Sequence, residues 1–310
     1  MENKNQSVLR NFFLLGFGNK LETQITFFVI FLMIYFLTFF GNLTILTAVR
    51  SDSRLHTPMY FFLCNLSFLD ICYISVTMPK MLANMLSNST SISFAGCIAQ
   101  IFFFIGLVST EFFLLSVMAY DRYVAICNPL LYHNIMSKRV CIQLATAPWM
   151  GGFLNSLVHT LLLSQLSYCK SNKVNQYFCD IPPLLALACG DKHINEIVLL
   201  SMGAILGMGS FLLTIISYVH IISTILKIRS AEGKRKAFST CTSHLIVVSL
   251  FCGTGIFTYV RPSSSYSLDK DRLVSVLYGV VTPMLNPIIY SLRNKDVKGA
   301  LLKVLGRKTS

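Results

Sequence analysis

Long gaps between charged residues divide this chain. No Asp, Glu, Lys or Arg occurs in Thr23–Val49, Val140–Cys169, Ile197–Leu226, Ala237–Val260 or Leu273–Leu292. Leu55–Pro79 carries only Asp70 among those types, and Met81–Tyr120 only Glu111. At a helical rise of about 1.5 Å per residue, each of these seven stretches can cross the hydrocarbon layer of a bilayer. The predicted fold is all-α: a seven-transmembrane helix bundle with a short amphipathic helix at its end. Only 13% of the 310 residues are charged, against roughly a quarter in soluble domains. Such a chain has too little charge to cover its surface in water, so a lipid bilayer is its predicted partner.

The basic residues set the topology. With the N-terminus outside, stretches 50–57, 121–139, 227–236 and 293–310 face the cytoplasm and hold 16 Lys/Arg against 4 Asp/Glu. The outer stretches hold 10 against 7. Positive charge collects inside, which predicts an extracellular N-terminus and a cytoplasmic C-terminus. The net charge of +13 flanks apolar spans and forms no separate basic domain, so no nucleic-acid partner is expected. The first apolar run is too long for a signal-peptide core and reads as an uncleaved anchor. The predicted organisation is an extracellular tail over 1–24, a seven-span bundle over 25–292 and a cytoplasmic tail over 293–310. In that last stretch Val297, Leu301 and Val304 or Leu305 share one face among basic residues, the pattern of a helix lying on the inner leaflet. Asn5-Gln-Ser is a glycosylation sequon on the outer side.

Span three ends in Ser116-Val-Met-Ala-Tyr-Asp-Arg-Tyr-Val-Ala-Ile-Cys127. A helix leaving lipid at Asp121 would place Arg122 at the water boundary beside a carboxylate. It could be a plain anchor. It could also be a latch whose guanidinium is released to a partner when helices move. Asp70 and Glu111 lie inside the bilayer, where an ionised acid is costly and is usually paired or functional. A shared cation would stabilise both; otherwise one acid is protonated and hydrogen-bonded. In span seven, Pro283 and Pro287 each remove a helix hydrogen bond and bend the axis. Asn286 between them can serve a freed carbonyl or a water, and Tyr290 ends the motif. Trp149 reads as helix packing. The loop from Ser164 to Asn195 is long enough to be a lid. Cys97, Cys169, Cys179 and Cys189 lie on the outer, oxidising side, and four cysteines allow three pairings. No nucleophile–base set, HExxH pair, P-loop, zinc spacing or dinucleotide turn occurs, so no enzyme is expected. Nor do matched broken helices suggest a transporter.

Several strings are more specific. MAYDRYVAICNPLLY (Met118–Tyr132), LHTPMYFFL (Leu55–Leu63), CDIPPLLALAC (Cys179–Cys189), KAFSTCTSHL before span six and PMLNPIIYSLRN in span seven resemble those of the odorant receptors, a branch of the rhodopsin-like G-protein-coupled receptors. The likeness runs from about residue 40 to 305. It implies disulfides Cys97–Cys179 and Cys169–Cys189, and it places Asp70 and Glu111 near a sodium pocket; no other cofactor is implied. It implies a neutral, largely apolar odorant held by Phe104, Ile105, Val108, Ser109, Phe112, Met202, Leu206, Gly255, Ile256, Tyr259, Val276 and Gly279. It further implies that Asp121, Arg122, Tyr123, Tyr218, His244, Asn286, Pro287 and Tyr290 rearrange to admit a stimulatory olfactory-type G protein at the plasma membrane, raising cyclic AMP. One departure stands out: Cys252 occupies a position where the family often has tyrosine, which would enlarge the pocket floor or alter the resting-state contact.

Overall fold

The computed structural model describes residues 11–16, 21–87, 89–169, 171–228, 230–259, 272, 274–293, 297 and 299. Long helices dominate: α1 (Leu21–Ser51), α2 (Pro58–Leu86), α3 (Phe94–Cys127), α4 (Lys138–Ser164), α5 (His193–Lys227) and α6 (Ala231–Tyr259). The seventh, α7, covers Val274–Ile289 and runs on through Thr282–Arg293. Five of them, α1, α2, α3, α5 and the Cys241–Tyr259 part of α6, are both long and apolar enough to cross a membrane. α4 has the length, 27 residues, but Gln143, Asn155 and His159 dilute its apolar character. The apolar part of α7 is shorter.

Local chemistry sets the helix ends. Pro58 opens α2, where its missing N–H is no loss. Ser93 caps α3 by accepting from the Gly96 N–H at 3.1 Å. α3 lies at the centre, against α2, α4, α5 and α6. Of its most apolar window 72% is buried, against 22% for α1 and for α5, so those two helices form the rim. Their outward side chains, such as Met33, Phe40, Leu213 and Ile216, are more than half exposed. A belt of that kind needs lipid around it. Gly152 permits the close α3–α4 approach: a Cβ there would meet the Gly106 carbonyl oxygen and the Thr110 nitrogen at 2.7 Å.

Proline in α7 is compensated from α1. Pro287 leaves the Pro283 carbonyl without its helical donor, and Asn42 Nδ2 reaches that carbonyl at 3.5 Å. The Pro287 ring sits over Gly41, where a Cβ would come within 3.2 Å of it. Asn286 therefore does not serve the freed carbonyl. It donates to Asp70 instead, at 3.1 Å to each oxygen.

The end of the bundle that the distribution of basic residues assigns to the outer side is capped by chain that the sequence treats as tail and loop. β1 (Asn11–Leu14) pairs antiparallel with β2 (Ser91–Ser93). It also pairs parallel with the two-residue strand Lys173–Val174. Phe12 and Leu14 are buried, so part of the predicted free tail belongs to the cap. A second ribbon joins Ser167–Tyr168 to Ala188–Cys189. Both expected disulfides are present, Cys97–Cys179 and Cys169–Cys189. Asn5 lies outside the described residues, as does the terminal surface helix apart from Val297 and Gly299.

Candidate functional site

Beneath the cap is a narrow cavity of about 30 Å³. Ile105, Val108, Ser109 and Phe112 of α3 form one wall, and Leu199, Gly203 and Leu206 of α5 another. Gly255 and Tyr259 of α6, Asn155 and His159 of α4, and Ile181 of the outer loop complete it. Seven of the twelve residues assigned to ligand by resemblance meet here. The other five, Phe104, Met202, Ile256, Val276 and Gly279, do not line the cavity.

For Phe104, Val276 and Gly279 the reason lies in the outer loop. Its Phe178 ring occupies the space beside Gly279, within 3.2 Å of where a Cβ would stand. Phe178 packs on Phe104 with centroids 4.9 Å apart, and Tyr278 closes on Phe104 at 5.8 Å. This aromatic wall separates α7 from the cavity. Leu206 lies in a π-helical turn, Ala204–Met208, and Gly279 in another, Leu277–Val281. Such turns re-aim side chains within an otherwise regular helix. Cys252 is buried and does not line the space; its neighbour Phe251 packs on Phe112 at 4.6 Å. The floor is therefore aromatic without a tyrosine at 252.

The polar groups at the cavity include two that the sequence reading missed. Asn155 Nδ2 donates to Ser109 Oγ at 2.9 Å. Its Oδ1 is buried with no partner, and His159 lies one helical turn further along α4. Their signal was an i, i+4 polar pair on a span otherwise rich in Leu.

The third missed residue is Asp180. Although it is a loop residue, it is 1% exposed. It accepts from the Tyr278 hydroxyl at 2.5 Å, from the Tyr259 hydroxyl at 3.1 Å and from the Ile181 N–H at 2.7 Å. Burial pushes its pKa up to about 6, while these donors hold it down. At neutral pH it is a charged clamp tying the outer ends of α6 and α7 to the disulfide-bonded loop. Tyr259 also faces the cavity, so the clamp and the cavity share a side chain.

At the other end of the bundle, α3 continues for a turn and a half past Asp121. Asp121 and Arg122 are buried, 1% and 5% exposed, so Arg122 does not stand at a water boundary. The Arg122 Nη1 donates to the Tyr218 hydroxyl at 3.3 Å, and Asp121 Oδ1 accepts from the Tyr132 hydroxyl at 2.8 Å. His244 bridges α6 to both neighbours: Nδ1 lies 3.0 Å from the Tyr218 hydroxyl and Nε2 3.1 Å from the Leu115 carbonyl. A carbonyl only accepts, so Nε2 carries the proton and Nδ1 accepts from Tyr218. The order is thus Arg122 to Tyr218 to His244 to Leu115, one relay through α3, α5 and α6. Tyr123 turns away and packs edge-on against His220 at 5.8 Å. The Tyr290 side chain lies outside the described residues.

Between the two ends sit Asp70, Glu111 and Asn286, all buried. Both Glu111 oxygens lack a partner. Two carboxylates, one without donors, make a hard-oxygen set suited to a small cation.

Comparison with known proteins identifies the family. The family model described as Olfactory receptor matches residues 31–308. Olfactory receptor 1G1 of Gorilla gorilla gorilla is 53% identical, over 98% of this chain and 97% of its own. Olfactory receptor 5AR1 of Mus musculus is 50% identical over 99% of both chains. Olfactory receptor 5AR1 of Homo sapiens is 49% identical over 100% of both. With a matching family model over nearly its whole length and whole-chain relatives at about half identity, this chain belongs to the olfactory receptor family.

Proposed function

We propose that the chain binds a small, neutral, largely apolar odorant in the cavity between α3, α4, α5 and α6, and that binding rearranges the relay at the far end. The observation that carries this reading is the cavity lining. It holds no Asp, Glu, Lys or Arg; Ser109, Asn155 and His159 supply polar groups from α3 and α4, and the Tyr259 hydroxyl on α6 is spent on Asp180. A ligand that buries apolar surface gains about 25 cal/mol per Å². One donor group on it can satisfy Asn155 Oδ1. The free space is about 30 Å³, so a ligand enters only as the side chains around it move apart, which ties binding to the arrangement of the helices.

Binding favours whichever bundle arrangement fits the ligand better. Tyr259 touches both the cavity and Asp180, so a ligand can act on α6 from above. The same helix carries His244 below. Displacing it breaks the Tyr218–His244 bond and frees Arg122 for a partner on the cytoplasmic side. The partner in this reading is a stimulatory olfactory-type G protein, with cyclic AMP as the output. The receptor sits in the plasma membrane with its N-terminus outside, in line with the distribution of basic residues. Asp70 and Glu111 would hold a sodium ion in the resting arrangement, where it would balance the charge of one carboxylate while the other acid keeps its proton. Replacing sodium in the medium, or Asp70→Asn, then raises basal signalling; no change under either removes the ion from the account.

The test is a cyclic AMP screen of cells expressing the chain against a chemically diverse odorant panel. Responses confined to neutral, mainly apolar molecules support the reading. A preferred amine or carboxylate contradicts it.

A further inference from the structure

α4 and α5 pack together mainly at their outer ends, where α4 meets His193–Gly203. Towards the Cys127 end they diverge and uncover α3. The gap is a cleft of about 450 Å³, open on one side. It is separate from the odorant cavity, and its lining faces lipid: Leu213 is 60%, Ile216 56% and Tyr120 40% exposed.

The lining is sorted by depth. Ser116 and Leu213 lie deepest in the membrane, while Tyr123 and His220 lie seven residues nearer the inner surface on α3 and α5. At a helical rise that is about 10 Å. Val117, Leu144, Leu213 and Ile216 give the body of the cleft an apolar surface. Polar groups gather at the inner end. The Tyr123 hydroxyl and the His220 ring make no hydrogen bond to any described residue. Ser217 spends its proton on the Leu213 carbonyl at 2.9 Å and keeps its oxygen free to accept. No Lys, Arg, Asp or Glu lines the cleft, so nothing there matches a phosphate or an ammonium group.

These features describe an amphiphile with a bulky apolar body and a small uncharged polar end directed to the inner leaflet surface. We propose that the cleft binds a membrane sterol, its hydroxyl among Tyr123, His220 and Ser217 and its rings against Val117, Leu213 and Ile216. A phospholipid would present charge to a site that offers none. A sterol is also available, since animal plasma membranes are rich in it. The occupant would bridge α3 and α5 one residue from Arg122, and so bear on the relay that joins the same two helices.

The test uses the full-length receptor in lipid nanodiscs with a photoreactive, alkyne-tagged cholesterol, followed by peptide mapping. Label is expected on the α3 segment around Tyr120–Tyr123 or the α5 segment around Leu213–His220, and excess cholesterol should compete it away. Ile216→Trp fills the cleft from a lipid-exposed position and should lower labelling there by about tenfold. His220→Phe removes a polar partner but keeps the ring shape, and should weaken labelling less. Surface expression of both variants checks that they fold. Labelling that cholesterol does not compete, or that Ile216→Trp leaves unchanged, overturns the proposal. So does preferential labelling by a photoreactive phosphatidylcholine, or cross-linking of two receptor copies through these segments.

Discussion

The two ends of the bundle are built from different materials. The outer end is fixed by covalent bonds and rings: two disulfides, two short sheets, the Phe104–Phe178–Tyr278 wall and a buried carboxylate that accepts from three donors. The inner end rests on single hydrogen bonds between helices, from Arg122 to Tyr218 to His244 to Leu115. A bond of that sort contributes about 1 kcal/mol net, whereas a disulfide in a small domain contributes about 2–5 kcal/mol. The difference teaches where motion is cheap. A ligand worth a few kcal/mol cannot unmake the cap, but it can re-pair the relay.

Four changes probe that contrast, from the largest effect to the smallest. Arg122→Ala should abolish the odorant-evoked cyclic AMP rise while leaving surface expression intact; an undiminished response would refute the relay. Cys179→Ser removes the bond from the loop to α3 and should cost about 2–5 kcal/mol of stability. It would be read as a lower unfolding temperature and reduced surface expression, and unaltered unfolding would show that the cap is not the rigid part.

The third change concerns pH. Asp180 has a folded-state pKa raised from 3.8 to about 6, so between those values the folded receptor keeps a proton that the unfolded chain has released. The Asp180 contribution to stability is therefore full below about pH 4, falls as pH rises to about 6 and is level above it. The loss is about 3 kcal/mol. Unfolding of the purified receptor from pH 4 to 7 should show that decline relative to Asp180→Asn, which cannot ionise. Parallel curves would mean that Asp180 is not buried as described. The smallest effect belongs to the cavity wall. Asn155→Leu should weaken odorants that carry a hydroxyl by about fivefold, matching one hydrogen bond. It should leave pure hydrocarbons unaffected or slightly stronger, and equal losses for both classes would place Asn155 away from ligand.

How much of this could be read in the sequence depended on the kind of information involved. The spans were legible because charge is excluded from lipid, and charge gaps measure length directly. The α3 wall was legible through the family resemblance, which carried Ile105, Val108, Ser109 and Phe112 over by position to one face of the helix. Which helix stands opposite that face is a tertiary fact, so Asn155 and His159 on α4 went unnoticed. The loop was the least legible. Phe178 displaces α7 from the cavity only because the loop is pinned by Cys179 and folded inward, and no local pattern encodes that path. Nothing local distinguishes Asp180 from a solvated loop acid; Tyr259 and Tyr278, which enclose it, lie 79 and 98 residues away. Arg122 was recognised by its neighbours, yet its partner Tyr218 lies 96 residues away.

The central claim is that occupation of the outer cavity drives the inner relay. The most direct measurement compares cyclic AMP dose–response curves of the wild-type receptor and Leu206→Trp, which fills the cavity from α5, for the same active odorants at matched surface expression. The account predicts a potency loss of at least about tenfold in the variant, with its surface level unchanged. Superimposable curves would contradict it.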